Sequence, residues 1–340
     1  MQDDPHIETL SYPFEAGLLP WPEKSRRVVC FDLAEPFAVL ERSGAAVTHV
    51  QGFRPSYLKL ERAGCAVVAT APHSTEFDWA FVRLGRHRGR NEAWIAAALR
   101  AVKPGGYVVA AGGKTDGAAS LRKRVAGLGA DIDHAARNHG VVFWLDVGDD
   151  RAELADRLEP APAARVDGRF RTAPGMFSHG RVDPGSRLLA RHFAGLDVES
   201  AADFCAGWGY LSARLLAECS GLRRLHLYEA DHASLEAARA NVAATGQCAP
   251  QFHWHDLLGE PVEGGHDLIV MNPPFHTGRK AEPDIGREMI ETAATALAPR
   301  GRLLMVANRQ LPYESVLAVR FPTHRLLAEE GGFKVFAAIR

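Results

Sequence analysis

The run His266-Asp267-Leu268-Ile269-Val270-Met271 stops at Asn272-Pro273-Pro274-Phe275, and those last four residues are of the types needed to act on a flat amino group. The lone pair of an exocyclic or amide nitrogen is delocalised. Its protons therefore need acceptors that draw the nitrogen toward tetrahedral geometry while an electrophilic carbon is presented in line. The side-chain oxygen of Asn272 and the carbonyl of Pro273 are such acceptors, and Phe275 offers a face on which a planar substrate such as a flipped base can stack. Pro274 holds Pro273 extended, so the acceptors sit on a stiff piece of backbone. A strand that merely ends in a proline turn is the bland alternative, but the four-residue string after an apolar run favours chemistry.

Stiff acceptors need a strand end to carry them. The apolar run is short, lacks polar alternation and reads as a buried parallel strand, whose carboxyl edge is where open α/β sheets bind ligands. Three more strand ends with polar residues precede it. Ala201 to Ser212 reads as a strand entering a Gly207-x-Gly209 turn and a helix from Leu211 to Ala217, where glycine lets a ligand approach the backbone. Arg224 to Glu229 ends in a carboxylate 22 residues beyond Gly207, the position from which an acid accepts both hydroxyls of an adenosine ribose. Gln251 to His255 ends in Asp256, suited to the adenine amino group, with Leu257 against the ring. Together the four ends point to one adenosine-containing ligand. NAD shares the second-strand acid, but hydride transfer has no use for two acceptors aimed at an amino group, so Asn272-Pro273-Pro274-Phe275 selects S-adenosylmethionine.

The chain has 340 residues, which predicts two domains, and 46% hydrophobic with 24% charged residues is the composition of a soluble globular protein. A formal net charge of -1 excludes a generally basic nucleic-acid binder, so any RNA contact must be local. Cys30, Cys65, Cys205, Cys219 and Cys248 are scattered, odd in number and without paired spacing, which suggests a reducing compartment and no zinc site. The amino terminus is acidic and no apolar run is long enough to span a bilayer. A cytoplasmic monomer without metal is expected.

Residues 1–158 read as an α/β sheet with strands at Arg27 to Leu33, Cys65 to Thr70, Phe77 to Leu84, Tyr107 to Ala111 and Val141 to Val147, and helices at Asn91 to Val102 and Ala118 to Leu128. No glycine-rich turn precedes residue 60. Phe77 to Arg83 nevertheless lays over His266 to Asn272, and Lys103 to Val109 over Ala298 to Leu304, which predicts an internal duplication whose first copy has Arg83 in place of Asn272. Beyond Arg83, the loop through Arg86, Arg88 and Arg90 has the donors and glycines to grip phosphate. Residues 159–171 form a Pro/Ala/Arg linker, and Ser178 or Asp183 is expected to cap a helix before the second sheet. Ile285 to Leu297 reads as a helix, Leu303 to Val306 as a strand, and Arg325 to Ala328 with Val335 to Ile339 as a hairpin.

Asn-Pro-Pro-aromatic is the pattern of enzymes that methylate planar amino groups. With Thr172-Ala173-Pro174-Gly175-Met176-Phe177-Ser178, Asp183-x-Gly185-Ser186, the Gly-x-Gly turn, His276-x-Gly278, Ala307 to Glu314 and Phe333-Lys334-Val335, the chain from Thr172 onward resembles the ribosomal-RNA guanine-N2 methyltransferases. The similarity is greatest to the two-domain small-subunit enzyme and its large-subunit relative. It implies two Rossmann-like class I methyltransferase domains in tandem: a degenerate, RNA-binding domain over 1–158 and a catalytic domain over 172–340 that ends in an antiparallel hairpin. Asp203, Ala206, Gly207 and Gly209 would surround the methionine part of S-adenosylmethionine. Glu229 would take its ribose and Asp256 its adenine, with Asn272 touching both cofactor and base. Asn272, Pro273 and Phe275 would hold the guanine, with Pro274 and His276 beside it, His276 positioning rather than acting as base. The partner would be ribosomal RNA or a ribosomal subunit. Cys205 stands where the family has glycine, so a slightly reshaped turn is expected. Adenine-N6 or protein-glutamine methylation would use the same acceptors, though those families more often have Tyr in place of Phe275. A catalytically silent RNA-binding assembly factor is the rival of another class.

Overall fold

The computed structural model describes residues 5–73, 75–161, 165–243, 248–274 and 283–340, and the chain divides into two compact units, Met1–Pro162 and Ala163–Arg340. The first unit runs α1 (Pro5–Glu15), β1 (Arg27–Phe31), α2 (Ala38–Ser43), β2 (Ala46–Val50), α3 (Arg54–Arg62), β3 (Ala66–Val68), β4 (Phe77–Arg83), α4 (Arg88–Ala101), β5 (Val102–Gly113), α5 (Ala118–Gly127), β6 (Asp133–Arg137), β7 (Gly140–Asp146) and α6 (Arg151–Leu158). The second runs α7 (Pro184–Ala190), β8 (Ser200–Phe204), α8 (Tyr210–Glu218), β9 (Arg224–Glu229), α9 (His232–Asn241), β10 (Gln251–Trp254), β11 (His266–Met271), α10 (Pro283–Ala296), β12 (Leu297–Asn308), α11 (Glu314–Arg320), β13 (Thr323–Glu330) and β14 (Phe333–Ile339).

Each unit is one seven-stranded sheet with the same connectivity, β3-β2-β1-β4-β5-β7-β6 and β10-β9-β8-β11-β12-β14-β13. The first five strands of each order are parallel, the sixth runs antiparallel to them, and the last pairs antiparallel with the sixth. Central strands are buried on both faces: β8 is buried along its whole length, and β11 carries the apolar run Leu268-Ile269-Val270-Met271. Gly331 and Gly332 both have positive φ and supply the two-residue turn that matches strand twist in the final hairpin.

The duplication extends to residue-level detail. The β4–β5 register slips between Phe77↔Val102 and Trp79↔Tyr107, and the β11–β12 register slips between His266↔Leu297 and Leu268↔Arg302. In both slips a residue of positive φ, Gly105 or Arg300, precedes a glycine, and a Cβ on Gly106 or Gly301 would strike the neighbouring strand's backbone at 2.4 or 2.7 Å. Asp78 accepts from the Arg27 amide at 2.8 Å as Asp267 accepts from that of Ser200 at 2.9 Å. Counting through these registers makes Arg83 the counterpart of Asn272, Cys30 of Asp203, Asp32 of Cys205 and Gln51 of Glu229. Asp32 and Cys205 share a left-handed φ, 61° and 60°. The Gln51 Oε1 accepts from the amide two residues on, as the Glu229 Oε1 does.

One local expectation fails. Residues 83–90 are not all loop: His87 caps α4 by accepting from the Arg90 amide, so Arg88 and Arg90 lie in a first helical turn.

Candidate active site

The carboxyl edge of the second sheet gathers most of the expected residues. Asp203 is fully buried on β8, and its Oδ2 accepts from the Ser212 hydroxyl of α8 at 2.7 Å. Its Oδ1 has no partner among the described residues. Burial pushes the Asp203 carboxyl up to about 7, against the Ser212 hydrogen bonds. Cys205, Gly207 and Gly209 then take positive φ in turn, and α8 starts at Tyr210. A Cβ on Gly209 would lie 2.5 Å from Val242, whereas one on Gly207 would meet nothing within 4 Å. Gly209 therefore serves packing, while the space beside Gly207 is open. Cys205 takes a left-handed φ of 60°, which costs a non-glycine residue about 1 kcal/mol. Burial, with Glu229 nearby, raises its thiol well above the ordinary range.

Glu229 ends β9 and staples this turn. Its Oε2 accepts from the Gly207 amide at 2.7 Å and its Oε1 from the Asp231 amide at 2.8 Å. Burial pushes its carboxyl up to about 7 in spite of those bonds. The His255 amide donates to the Glu229 carbonyl, which brings the following Asp256 to the same edge. Asp256 uses Oδ1 to accept from the Leu258 amide at 3.0 Å. Leu257 is buried in the cluster that includes Ala202, Ile269 and Met289.

Asn272 follows β11. Its Nδ2 donates to the Asp183 Oδ2 at 3.1 Å and the Ser186 Oγ at 2.7 Å. Asp183 also caps α7 through the Ser186 amide at 2.8 Å, so the cap, not Ser178, starts that helix. A carboxylate only accepts, so the amide is fixed with nitrogen toward Asp183. Its Oδ1 is buried and has no partner among the described residues. Asn272, Asp183, Ser186, Cys205, Ala206 and Gly207 line one cleft of about 380 Å³. Phe177 lines its mouth, more than half exposed, with its carbonyl held by the Trp208 indole N–H at 2.9 Å. Sequence reasoning placed Asp183 and Ser186 in a motif but missed their grip on Asn272, and missed Phe177 as a cleft residue. Pro273 is buried and Pro274 exposed. Phe275 and His276 lie outside the described residues.

Arg86, Arg88 and Arg90 belong to the first unit. Arg88 pairs with Glu92 at 2.8 Å, and Arg90 faces Asp32 at 3.6 Å with its guanidinium over Trp94. Arg86, Arg88 and Arg124 line a cleft of about 500 Å³ in that unit.

Comparison with known proteins follows the same lines. Residues 167–337, about half the chain, match the methyltransferase small domain family. The ribosomal RNA small subunit methyltransferase C of Pseudomonas aeruginosa (strain LESB58) is 32% identical over 252 residues, 73% of this chain and 75% of that protein. The chain belongs to the small-subunit ribosomal RNA methyltransferase C family. Another member, from Citrobacter koseri, is 29% identical over 331 residues, 93% of each chain. The T. thermophilus 16S rRNA N2 G1207 methyltransferase, solved with AdoMet and guanosine, superposes with a TM-score of 0.81 at 26% identity, covering 100% of this chain and 92% of that one. Membership of this family confirms the two-domain class I methyltransferase fold implied by the sequence. Among the described residues no helix is long and apolar enough to cross a membrane.

Proposed function

We propose that this chain transfers a methyl group from S-adenosylmethionine to the exocyclic N2 amine of a guanine in small-subunit ribosomal RNA. The observation that carries this reading is the Asn272 carboxamide: its nitrogen is anchored by Asp183 and Ser186, and its oxygen is left as a buried acceptor without a donor among the described residues. An unpaired buried acceptor costs about 1–3 kcal/mol, a cost that a substrate N–H removes. S-adenosylmethionine, when bound, supplies the activated methyl group. The residues present fit it. Gly207 has open space above it, and Asp203 has a buried oxygen free of partners among the described residues. The oxygens of Glu229 retain lone pairs for ribose hydroxyls beside their backbone donors. Ala206 and Gly209 complete the turn, with Asp256 and Leu257 at the adenine end.

The Asn272 oxygen and Pro273 carbonyl accept the two amine protons and hold the nitrogen lone pair toward the methyl group. Phe275, Pro274 and His276 position the base. The nitrogen then loses one proton, to water, with His276 orienting rather than accepting. The degenerate first domain, residues 1–158, grips RNA, with Arg86, Arg88 and Arg90 as phosphate donors, and residues 159–171 link it to the catalytic domain. The protein works in the cytoplasm on ribosomal RNA or the small subunit.

The test is single-turnover methylation of small-subunit ribosomal RNA and of assembled subunits by the parent and Asn272→Ala. The variant is expected to lose about 10²-fold or more in rate, the scale of one positioned transition-state hydrogen bond, with S-adenosylmethionine affinity nearly unchanged. An Ala variant that still methylates guanine near the parent rate would overturn the reading. Methylation of adenine or of protein instead would redirect it.

A further inference from the structure

Within the first unit, His49 on β2, Glu41 on α2 and Cys65, just before β3, bring one nitrogen, one oxygen and one sulfur within 4.8 Å of one another. The His49 Nε2 lies 3.1 Å from the Glu41 Oε1, and the Cys65 Sγ lies 3.8 Å from that same oxygen. A tetrahedral zinc ion with N, S and O ligands at about 2.0 to 2.3 Å separates nitrogen from oxygen by about 3.3 Å and sulfur from oxygen by about 3.5 Å. Both observed separations fall within about 0.3 Å of those values, and the His49 nitrogen and Cys65 sulfur, within 4.8 Å of each other, close in on the ion as it binds.

The duplicated fold shows that these are not residues the sheet requires. The β1–β2 register pairs Cys30 with His49, as the β8–β9 register pairs Asp203 with Leu227. The next strand pairs start at Thr48↔Ala66 and His226↔Gln251, which makes Cys65 the counterpart of Pro250. The second unit thus fills the two places with an apolar side chain and a proline, whereas the first buries an imidazole that is 1% exposed. Burying that ring needs a strong partner, and an N···O separation of 3.1 Å needs either a proton or a cation between the two atoms. The sulfur converging on the same oxygen favours the cation. Scattered cysteine spacing hides such a site, because its ligands meet only when α2, β2 and β3 pack.

We propose that Glu41, His49 and Cys65 bind one borderline divalent cation, Zn²⁺ by its preference for mixed N, S and O ligands, with water in the fourth position on the solvent side. Cys65 binds as thiolate and releases its proton to solvent, and His49 binds through Nε2 as neutral imidazole. The ion ties the short edge strand β3 to α2 and β2. It lies outside the methyl-transfer machinery.

The test uses the full chain, stripped with chelator and titrated with Co²⁺ alone. One equivalent is expected to bind with a thiolate-to-metal absorption band and the visible bands of a four-coordinate ion, and Zn²⁺ is expected to displace it. Cys65→Ser should abolish the charge-transfer band, and His49→Gln should weaken binding by at least about 100-fold. Cys65 is partly exposed, so its variant keeps the fold even if the His49 variant does not. Failure to take up one equivalent of Co²⁺, or a spectrum that Cys65→Ser leaves unchanged, would show that a proton alone joins His49 to Glu41.

Discussion

On residue type alone, aspartate is the mildest replacement for Asn272, since it keeps the size and an acceptor. The geometry reverses that expectation. The atom of Asn272 that faces the Asp183 Oδ2 at 3.1 Å is a donor nitrogen, and Asn272→Asp puts a carboxylate oxygen there. Two unit charges at that distance repel by about 5 kcal/mol at an effective dielectric of about 20. Rotation and a shared proton relieve part of this, so the rate should fall by about 10²- to 10³-fold at pH 8. The paired carboxyls hold one proton more tightly than either would alone. The ratio of variant to parent activity should therefore rise as pH falls toward 6. Asp183→Asn in the same chain removes the charge repulsion, but the Asp183 Oδ2 faces both Asn272 and the Ser186 amide, so an amide there either donates to residue 272 or caps α7 and not both; the double variant should recover only about 10-fold over the single. Single-turnover rates, with S-adenosylmethionine affinity as the control for folding, decide it. An Asn272→Asp enzyme that works nearly as well as the parent at pH 8, or a double variant no better than the single, would refute the claim that Asp183 orients the amide.

Glu229→Ala should weaken S-adenosylmethionine binding by about 1–3 kcal/mol, and calorimetry that finds unchanged affinity would remove Glu229 from the cofactor site. Because Oε2 also holds the Gly207 amide, the same change should increase hydrogen exchange at Gly207 in the unliganded protein. Replacing Arg86, Arg88 and Arg90 together should weaken RNA binding and flatten the slope of log affinity against log salt while cofactor binding is kept. Since Arg88 is paired with Glu92 and Arg90 faces Asp32, the slope should change by fewer than three phosphate contacts. A slope that does not move would mark the segment as a helix start without an RNA role.

What could be read from sequence was what is written locally. The apolar run of β11, the glycine turn after β8, the carboxylate ending β9 and the Gly331-Gly332 hairpin each sit within a few consecutive residues. β6 was invisible because Asp133–Arg137 is a polar edge strand exposed along almost its whole length, and β2 because five residues with one polar interruption carry little periodicity. The start of α4 was misread because Gly89 lies in its first turn. The link that orients Asn272 spans 89 residues to Asp183, and no local pattern announces a contact across that separation.

Gln51 stands where Glu229 stands in the other copy, and its Nε2 donates to the Leu33 carbonyl at 2.9 Å while its Oε1 accepts from Phe53 at 2.9 Å. The old cradle has been sewn shut with its own side chains, and Asp32 occupies the turn, facing Arg83 and Arg90. Loss of activity in this copy is therefore a ratchet. Restoring a carboxylate at Gln51 would leave the Leu33 carbonyl without its donor, and restoring an amide at Arg83 would remove a cation facing Asp32. Each backward step is costly until several others have been taken, which keeps the first copy closed while its twin keeps the chemistry.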